Sequence, residues 1–465
     1  MNSRPKGLNP TARLACLCVL VSAGLGGCNL PSLSPQAGPP TVEVVPAFSP
    51  EPIESPPPGA KPIVFWEPFA LDHPQGLLLS EMVRDFEVEN PDISIEMVPK
   101  SGYESVHEAM LAGLSGGELP DLAVAFPSMI AEYATAGLVE PLDPYLADPE
   151  IGLTGEDLAD LYPNFLEAGR LPGPSGQLVA FPFVENAVGM WVNDTLLAQA
   201  GWEHTPATWE EFEQACFDVM ATTGMRCYPF VESVSTFTAW LYSRGGRLLD
   251  LSRGQAIFNG PAGVESLALL RRLIDAGLAW RPEGPYGDYE AFARGEAAFT
   301  FSSTGNIRLY TEAYTAALHQ GVSPFEWRQA QIPQVDPNRP STLLYGAGFF
   351  IVPDEEERQR VAWRFIRWFT KPSQTARWAG GLDTLPVRAS ALALMTETLE
   401  IYPFLPTQVE EIGPYARSEP AIPAELEIRD ILYTAILSVT LGYADPQTAL
   451  DQAAQAANTV LREQP

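Results

Sequence analysis

Residues 61–126 read KPIVFWEPFALDHPQGLLLSEMVRDFEVENPDISIEMVPKSGYESVHEAMLAGLSGGELPDLAVAF. Ile63–Trp66 is a short apolar run of the buried-strand type. Leu79, Met82, Val83 and Phe86 then recur at helical spacing, and Asn90-Pro91 ends that helix. Ile93, Ile95 and Met97 alternate with Ser94 and Glu96, the period of a half-buried strand. Val106–Leu114 is helical again and closes at Gly116-Gly117, and Leu122–Phe126 is a third apolar run. The order β-α-β-α-β predicts a parallel sheet with right-handed crossovers, and so an α/β fold.

The same style continues downstream. Val188–Val192 and Ala297–Phe301 read as strands, as does Phe349–Val352. Thr208-Trp209-Glu210-Glu211 is a capping box, in which the Thr hydroxyl and the Glu carboxylate answer free backbone donors at a helix start. Trp209, Phe212, Cys216, Val219 and Met220 give that helix its apolar stripe. Pro261 opens another helix, with Val264, Leu267, Leu270 and Ile274 inward. Val361, Phe365, Ile366 and Phe369 form a helical stripe that Pro372 stops, and the tail is helical from about Ala424 to Leu461 with a break near Asp445-Pro446. A chain of 465 residues is too long for one compact core and suits two lobes.

The N-terminus is of another kind. Met1–Arg13 is basic, and Leu14–Leu25 is apolar but shorter than the ~20 residues a membrane-spanning helix needs. Small residues before a cleavage site mark residues 1–27 as a signal peptide. Leu25-Gly26-Gly27-Cys28 resembles the lipobox of bacterial lipoproteins, which implies lipid on the Cys28 thiol. Pro31–Ala60 holds 10 prolines in 30 positions, so residues 28–60 are expected to be an extended tether.

Charge narrows the partners. Lys+Arg number 28 against 58 Asp+Glu, a net charge of −30. Nucleic-acid binding needs a basic footprint, so that class is excluded. Of five cysteines, Cys16 and Cys18 lie in the signal peptide and Cys28 is the anchor. Cys216 and Cys227 remain, either as a disulfide in an oxidising compartment or as two buried thiols. With no CxxC and no metal spacing among His73, His107, His204 and His319, no metal site or cofactor is expected.

Seven segments in order resemble the family 1 extracellular solute-binding proteins, the group that includes maltodextrin-type receptors. They are IVFWEPF (63–69), MVRDFEVENPDISIEMV (82–98) and GELPDLAVAFPSMIAEYATAGLVEPLDPYL (117–146). FPFVENAVGMWVNDTLLAQAGWEHTPATWEEF (181–212) and FARGEAAFTFSSTGNI (292–307) follow. YGAGFFIVPDEEERQRVAWRFIRWFTKPSQTARWA (345–379) and TLPVR (384–388) complete the set. The resemblance implies a two-lobe periplasmic-binding-protein-like fold with a hinge and an interlobe ligand cleft. It implies a first lobe of 61–185 plus 340–395 and a second of 186–339 plus 396–465, with one crossing at Val184–Ala187. It also implies an ABC permease as partner, a monomeric receptor, and a place outside the cytoplasm, lipid-anchored to the outer face of the cell membrane or in a periplasm.

Ligands of such open sheets sit outside the carboxyl ends of the strands. That points to Trp66, Glu67 and Asp72 after the first strand, Phe126 after the third, and Ser302, Ser303 and Thr304 after Ala297–Phe301. Glu185, Asn186 and Tyr345 lie near the crossings; Trp240 and Trp378 are further aromatic candidates. A sugar fits this set, because an aromatic ring covers its apolar face and Asp, Glu, Asn and Ser answer its hydroxyls. Polyols, amino-acid-like compounds and organophosphates are the other solutes in view.

Catalysis is not expected. Gly113-Leu114-Ser115-Gly116-Gly117 matches GxSxG, but a helix precedes the Ser where a nucleophile elbow needs a strand. A lipid-anchored glycoside hydrolase and a surface interaction protein are the rival classes.

Overall fold

The chain is described here from a computed structural model covering residues 61–173 and 175–463, all within the unit Ser55–Pro465. The expected signal peptide, the Cys28 anchor and the tether lie outside the described residues. Strand β1 (Lys61–Glu67) pairs in parallel with β2 (Ile93–Pro99) along its whole length. Helix α1 (Pro74–Glu89) connects them and buries Leu79, Met82, Val83 and Phe86, the stripe its spacing predicts. Helix α2 (Tyr103–Leu114) leads to β3 (Leu122–Ala125), which pairs with the other side of β1 and is followed by α3 (Pro127–Thr135).

Strand β4 (Phe181–Asn193) is longer than the Val188–Val192 run suggests, because both ends of it find partners. Helix α4 (Trp209–Thr223) begins with the expected capping box, Thr208 Oγ1 accepting from Glu211 N. Then come α5 (Val234–Ser243), α6 (Pro261–Asp275) and α7 (Gly287–Ala293). Strand β5 (Phe299–Ser303), helix α8 (Ile307–His319) and strand β6 (Trp327–Ala330) follow; β5 and β6 both pair antiparallel with Val188–Asn193 of β4. Strand β7 (Thr342–Ile351) runs back, pairing with Phe181–Ala187 of β4 and with β3. Helices α9 (Glu356–Phe369) and α10 (Pro372–Leu382) pack behind it. Strand β8 (Ala416–Ser418) joins β7 in parallel before α11 (Glu425–Thr440) and α12 (Pro446–Glu463).

One apolar core gathers Phe65, Leu79, Phe86, Phe181, Phe183, Phe349, Trp363 and Phe365. A second gathers Val188, Met190, Phe212, Trp240, Leu267, Phe299, Leu432 and Leu450. Strands β4 and β7 contribute to both, and Trp191, Phe292, Ile307 and Tyr310 of the second half join the first core. Residues 396–418 serve both halves. Tyr402, Leu405, Val409 and Ile412 join the first core, while Gln408 Nε2 donates to Thr304 O at 3.2 Å. Cys216 and Cys227 form a disulfide within the second half. Among the described residues no helix is long and apolar enough to cross a membrane.

Candidate functional site

Side chains alternate along a strand, so Phe65 and Glu67 share one face of β1 and Trp66 takes the other. Phe65 enters the first core; Glu67, two residues on, is fully buried beyond its edge. Its Oε2 accepts from Phe69 N at 2.6 Å, while Oε1 has no hydrogen-bond partner. Burial pushes its carboxyl up to about 7. Glu185 projects from β4 on the same face as Phe183 and is also buried, with Oε2 unpartnered. Burial raises this carboxyl well above the usual range.

Both acids act on one phenol. Tyr103, in the first turn of α2, has its hydroxyl held far above its ordinary value by burial, and then by Glu185 and Glu67. The Phe126 ring lies 4.5 Å from the Tyr103 ring at 35°, and Phe69 lies 6.5 Å away, edge-on. Glu67 Oε1 and Glu185 Oε2 are thus buried oxygens without donors, on strands β1 and β4, which β3 and β7 separate. Polar satisfaction is the rule inside proteins, and such orphans mark a place where a partner is missing.

The second half supplies a polar counterpart. Tyr345 projects from β7 and bonds Ser303; burial pushes its hydroxyl up to about 12. Thr304 is buried, its Oγ1 accepting from Ala187 N at 3.1 Å and donating to Asn186 Oδ1 at 3.4 Å. Tyr289 of α7 accepts from Asn306 Nδ2 at 2.7 Å and feels the Tyr345 hydroxyl. Tyr286 stacks beside it, ring centroids 6.1 Å apart at 22°, and is 59% exposed. Asp288 is buried, pushed up to about 6 by burial. Nearby, Arg429 pairs with Glu419 and Glu425, and Thr238 Oγ1 donates to Glu419 at 2.9 Å. Burial, followed by Glu419, pushes Glu425 up to about 8. The Arg308–Asp383 ion pair at 2.7 Å ties α8 of the second half to the end of α10.

The sequence candidates divide. Phe126 packs on Tyr103, whose hydroxyl Glu67 and Glu185 raise by their charge; Asn186, Ser303, Thr304 and Tyr345 gather where β4, β5 and β7 meet. Trp66 faces away, packed with Val106 and Met110 and covered by Lys100 Nζ at 3.9 Å. Asp72 and His73 are exposed in the turn before α1. Ser302 points to the other side of β5, accepting from Trp191 Nε1 at 2.9 Å.

Two aromatic expectations are corrected. Trp240 is 3% exposed on the inner side of α5, its ring 4.7 Å from Trp209 and 5.1 Å from Phe301, so it is core. Trp378 is equally buried, its Nε1 donating to Phe183 O at 3.0 Å and its ring packed on Phe183. In both, helix orientation aims the ring at the sheet. Arg388 is structural, its guanidinium bonded to the Thr370 and Asp157 carbonyls. Tyr103, Tyr286, Tyr289, Asp288 and Arg429, which the sequence did not single out, stand beside these candidates, since nothing local marks which face of a helix is turned toward them.

A cavity of about 230 Å³ opens elsewhere, beside α4 and α6. There Glu213 and Glu265 are already engaged by Arg272, so it shows none of the missing partners seen around Tyr103. Among the described residues, no His, Cys, Asp and Glu group could hold a metal.

Comparison with known proteins fits this architecture. The cyclic alpha-maltosyl-1,6-maltose binding protein from Arthrobacter globiformis superposes with a TM-score of 0.71 at 24% identity, covering 87% of this chain and 100% of that one. The sugar-binding protein MalE from Xanthomonas citri gives a TM-score of 0.74 at 20% identity, covering 87% and 98%. The sn-glycerol-3-phosphate-binding periplasmic protein UgpB of Escherichia coli (strain K12) is 22% identical over 422 residues, 86% of this chain and 92% of that protein. The expected two-lobe, periplasmic-binding-protein-like α/β fold is therefore met. Residues 81–407 match the family pattern described as bacterial extracellular solute-binding protein. The chain belongs to that family of solute receptors.

Proposed function

We propose that this receptor captures a carbohydrate between its two halves and delivers it to an ABC permease. The observations that carry this reading are the buried, donor-less oxygens of Glu67 and Glu185 and the ring pair of Tyr103 and Phe126. Sugar hydroxyls are donors, and the ring faces suit the apolar side of a pyranose. The names of two structural neighbours, a maltosyl-maltose binding protein and MalE, support the same class of solute. Ligand-contact residues on this reading are Glu67, Tyr103, Phe126, Glu185, Asn186, Ser303, Thr304, Tyr345 and Tyr289.

Binding and release, without bond chemistry, is the whole task. The lobes on this reading are 61–185 plus 340–395 and 186–339 plus 396–465, with the chain crossing in β4 and with residues 402–412 packing on the first core and bonding Thr304. Closure follows because only the closed form touches the ligand from both sides. Cys28 carries the lipid and the proline-rich segment spaces a monomeric receptor from the membrane, as Leu25-Gly26-Gly27-Cys28 and the proline content support.

A thermal-shift screen against mono- and oligosaccharides, polyols, amino acids and phosphates tests the reading. A ligand at a hundredfold its Kd adds ~2.7 kcal/mol to stability. A shift selective for one sugar class is expected; a shift only with a non-sugar class would remove the carbohydrate assignment.

A further inference from the structure

We propose that the cavity between the starts of α4 and α6 is a second binding site, which takes a small zwitterion of the α-amino-acid type with its carboxylate on Arg244 and its ammonium group on Glu210. The lining of this cavity shares no residue with the contacts proposed for the carbohydrate, so the inference stands apart from that reading.

Helix α4 starts at Trp209 and α6 at Pro261, and both starts border the cavity. Its volume of about 230 Å³ is that of a small metabolite. A cavity of about 150 Å³ takes a benzene ring, so about nine heavy atoms fit here. Arg244, just past the end of α5, lies over the Trp209 ring, its guanidinium carbon 3.9 Å from the centroid. Its Nη1 donates to Trp240 O at 3.3 Å, and among the described residues no other hydrogen bond and no ion pair holds the group. Burial is the largest influence on Arg244 and pulls it down to about 9. The missing partner here is therefore that of a cation, unlike the acceptor oxygens of Glu67 and Glu185. Glu210, exposed in the first turn of α4, makes no hydrogen bond or ion pair among the described residues. Glu213 and Glu265 differ from it, since each is held by Arg272 at 2.9 Å.

A guanidinium drawn out of water without a counter-charge is costly, and a carboxylate matches its fork of donors. The positive ends of two helices favour negative charge at the same place, and no side chain caps the start of α6. A plain anion would still meet Glu210, Glu213 and Glu265 in a protein of net charge −30. A plain cation would meet Arg244 and Arg272. A zwitterion answers both signs at once. Arg272 already engages two of the acids, so Glu210 is the one left for the ammonium group. Pro261, Ala262 and Leu269 supply apolar surface for an aliphatic side chain.

Titration calorimetry of the intact protein near neutral pH tests the site with glycine, L-alanine, L-proline, L-valine and L-leucine. Each is set against its N-acetyl form, which lacks the cation, and its carboxamide, which lacks the anion. At least one free amino acid is expected to bind about tenfold tighter than either capped form, a difference of ~1.4 kcal/mol. Arg244→Gln and Glu210→Gln should each remove most of that advantage, while Tyr345→Phe, in the proposed carbohydrate cleft, should leave it. Glu210 is exposed, so its variant still decides if Arg244→Gln fails to fold. Free amino acids that bind no tighter than their capped forms, or not at all, would overturn this inference and leave the carbohydrate reading intact. An advantage that survives both cavity variants and disappears in Tyr345→Phe would also overturn it, and would count against the carbohydrate reading as well.

Discussion

Glu185 and Gly346 are direct partners across the β4–β7 ladder, and a methyl group on Gly346 would sit 2.7 Å from Oε2 of Glu185 and 1.9 Å from the Val184 carbonyl oxygen. Real Cβ atoms do not approach that closely. The glycine thus lets the two strands close up where the buried carboxylate must point. Gly346→Ala should spread the strands, destabilise the protein by about 2 kcal/mol or more, and weaken solute binding. Urea denaturation followed by a binding titration would measure both; unchanged stability would show that the ladder absorbs the methyl group.

The buried acids set the response to pH. Glu67 keeps its proton up to about 7 in the folded protein, while the unfolded chain releases it at the ordinary carboxylate value. The folded state binds more protons between those values, so its stability falls as pH rises through that window. Glu185, Asp288 and Glu425 are raised in the same direction. Tm of the ligand-free protein should decline from about pH 5 to about pH 8. Glu67→Gln should flatten the decline.

Glu67→Gln should raise Tm above pH 7 while lowering affinity for the solute. An amide removes the desolvated charge but cannot accept donors as a carboxylate does. Opposite movement of stability and affinity is the signature of a group kept for binding. A variant losing both would instead be structural.

Trp240 and Tyr286 should separate cleanly. Trp240→Ala empties a site enclosed by Trp209, Phe212 and Phe301, at a cost of about 3–5 kcal/mol. Tyr286→Ala removes an exposed ring and should change stability by ~0.5 kcal/mol or less. If the ring stack on α7 meets the solute, the Tyr286 variant alone loses affinity at full stability, which calorimetry on both proteins would read.

The Cys216–Cys227 disulfide closes a short loop, with a sequence separation of 11. Replacing both residues by Ser should destabilise the protein by about 3 kcal/mol through added freedom of the unfolded chain. Equal Tm with and without reductant would contradict this.

The α/β alternation was legible because burial imposes periodicity. Leu79, Met82, Val83 and Phe86 announce the inner side of α1, and Thr208 with Glu211 announces the start of α4, each through contacts a few residues apart. The position of Glu67 and Glu185 at the ends of apolar runs was legible for the same reason.

Which aromatic rings face the cleft was not. Trp240 and Trp378 stand as aromatic candidates in the sequence, yet each lies inside a helix that buries its ring. Tyr103 and Tyr289 carry no local mark at all. Strand and helix identity follow from short-range patterning, which the chain carries in its own order. That Glu67 and Glu185, 118 positions apart, both act on Tyr103 depends on how β1 and β4 are placed around the start of α2, and that placement exists only in the folded protein.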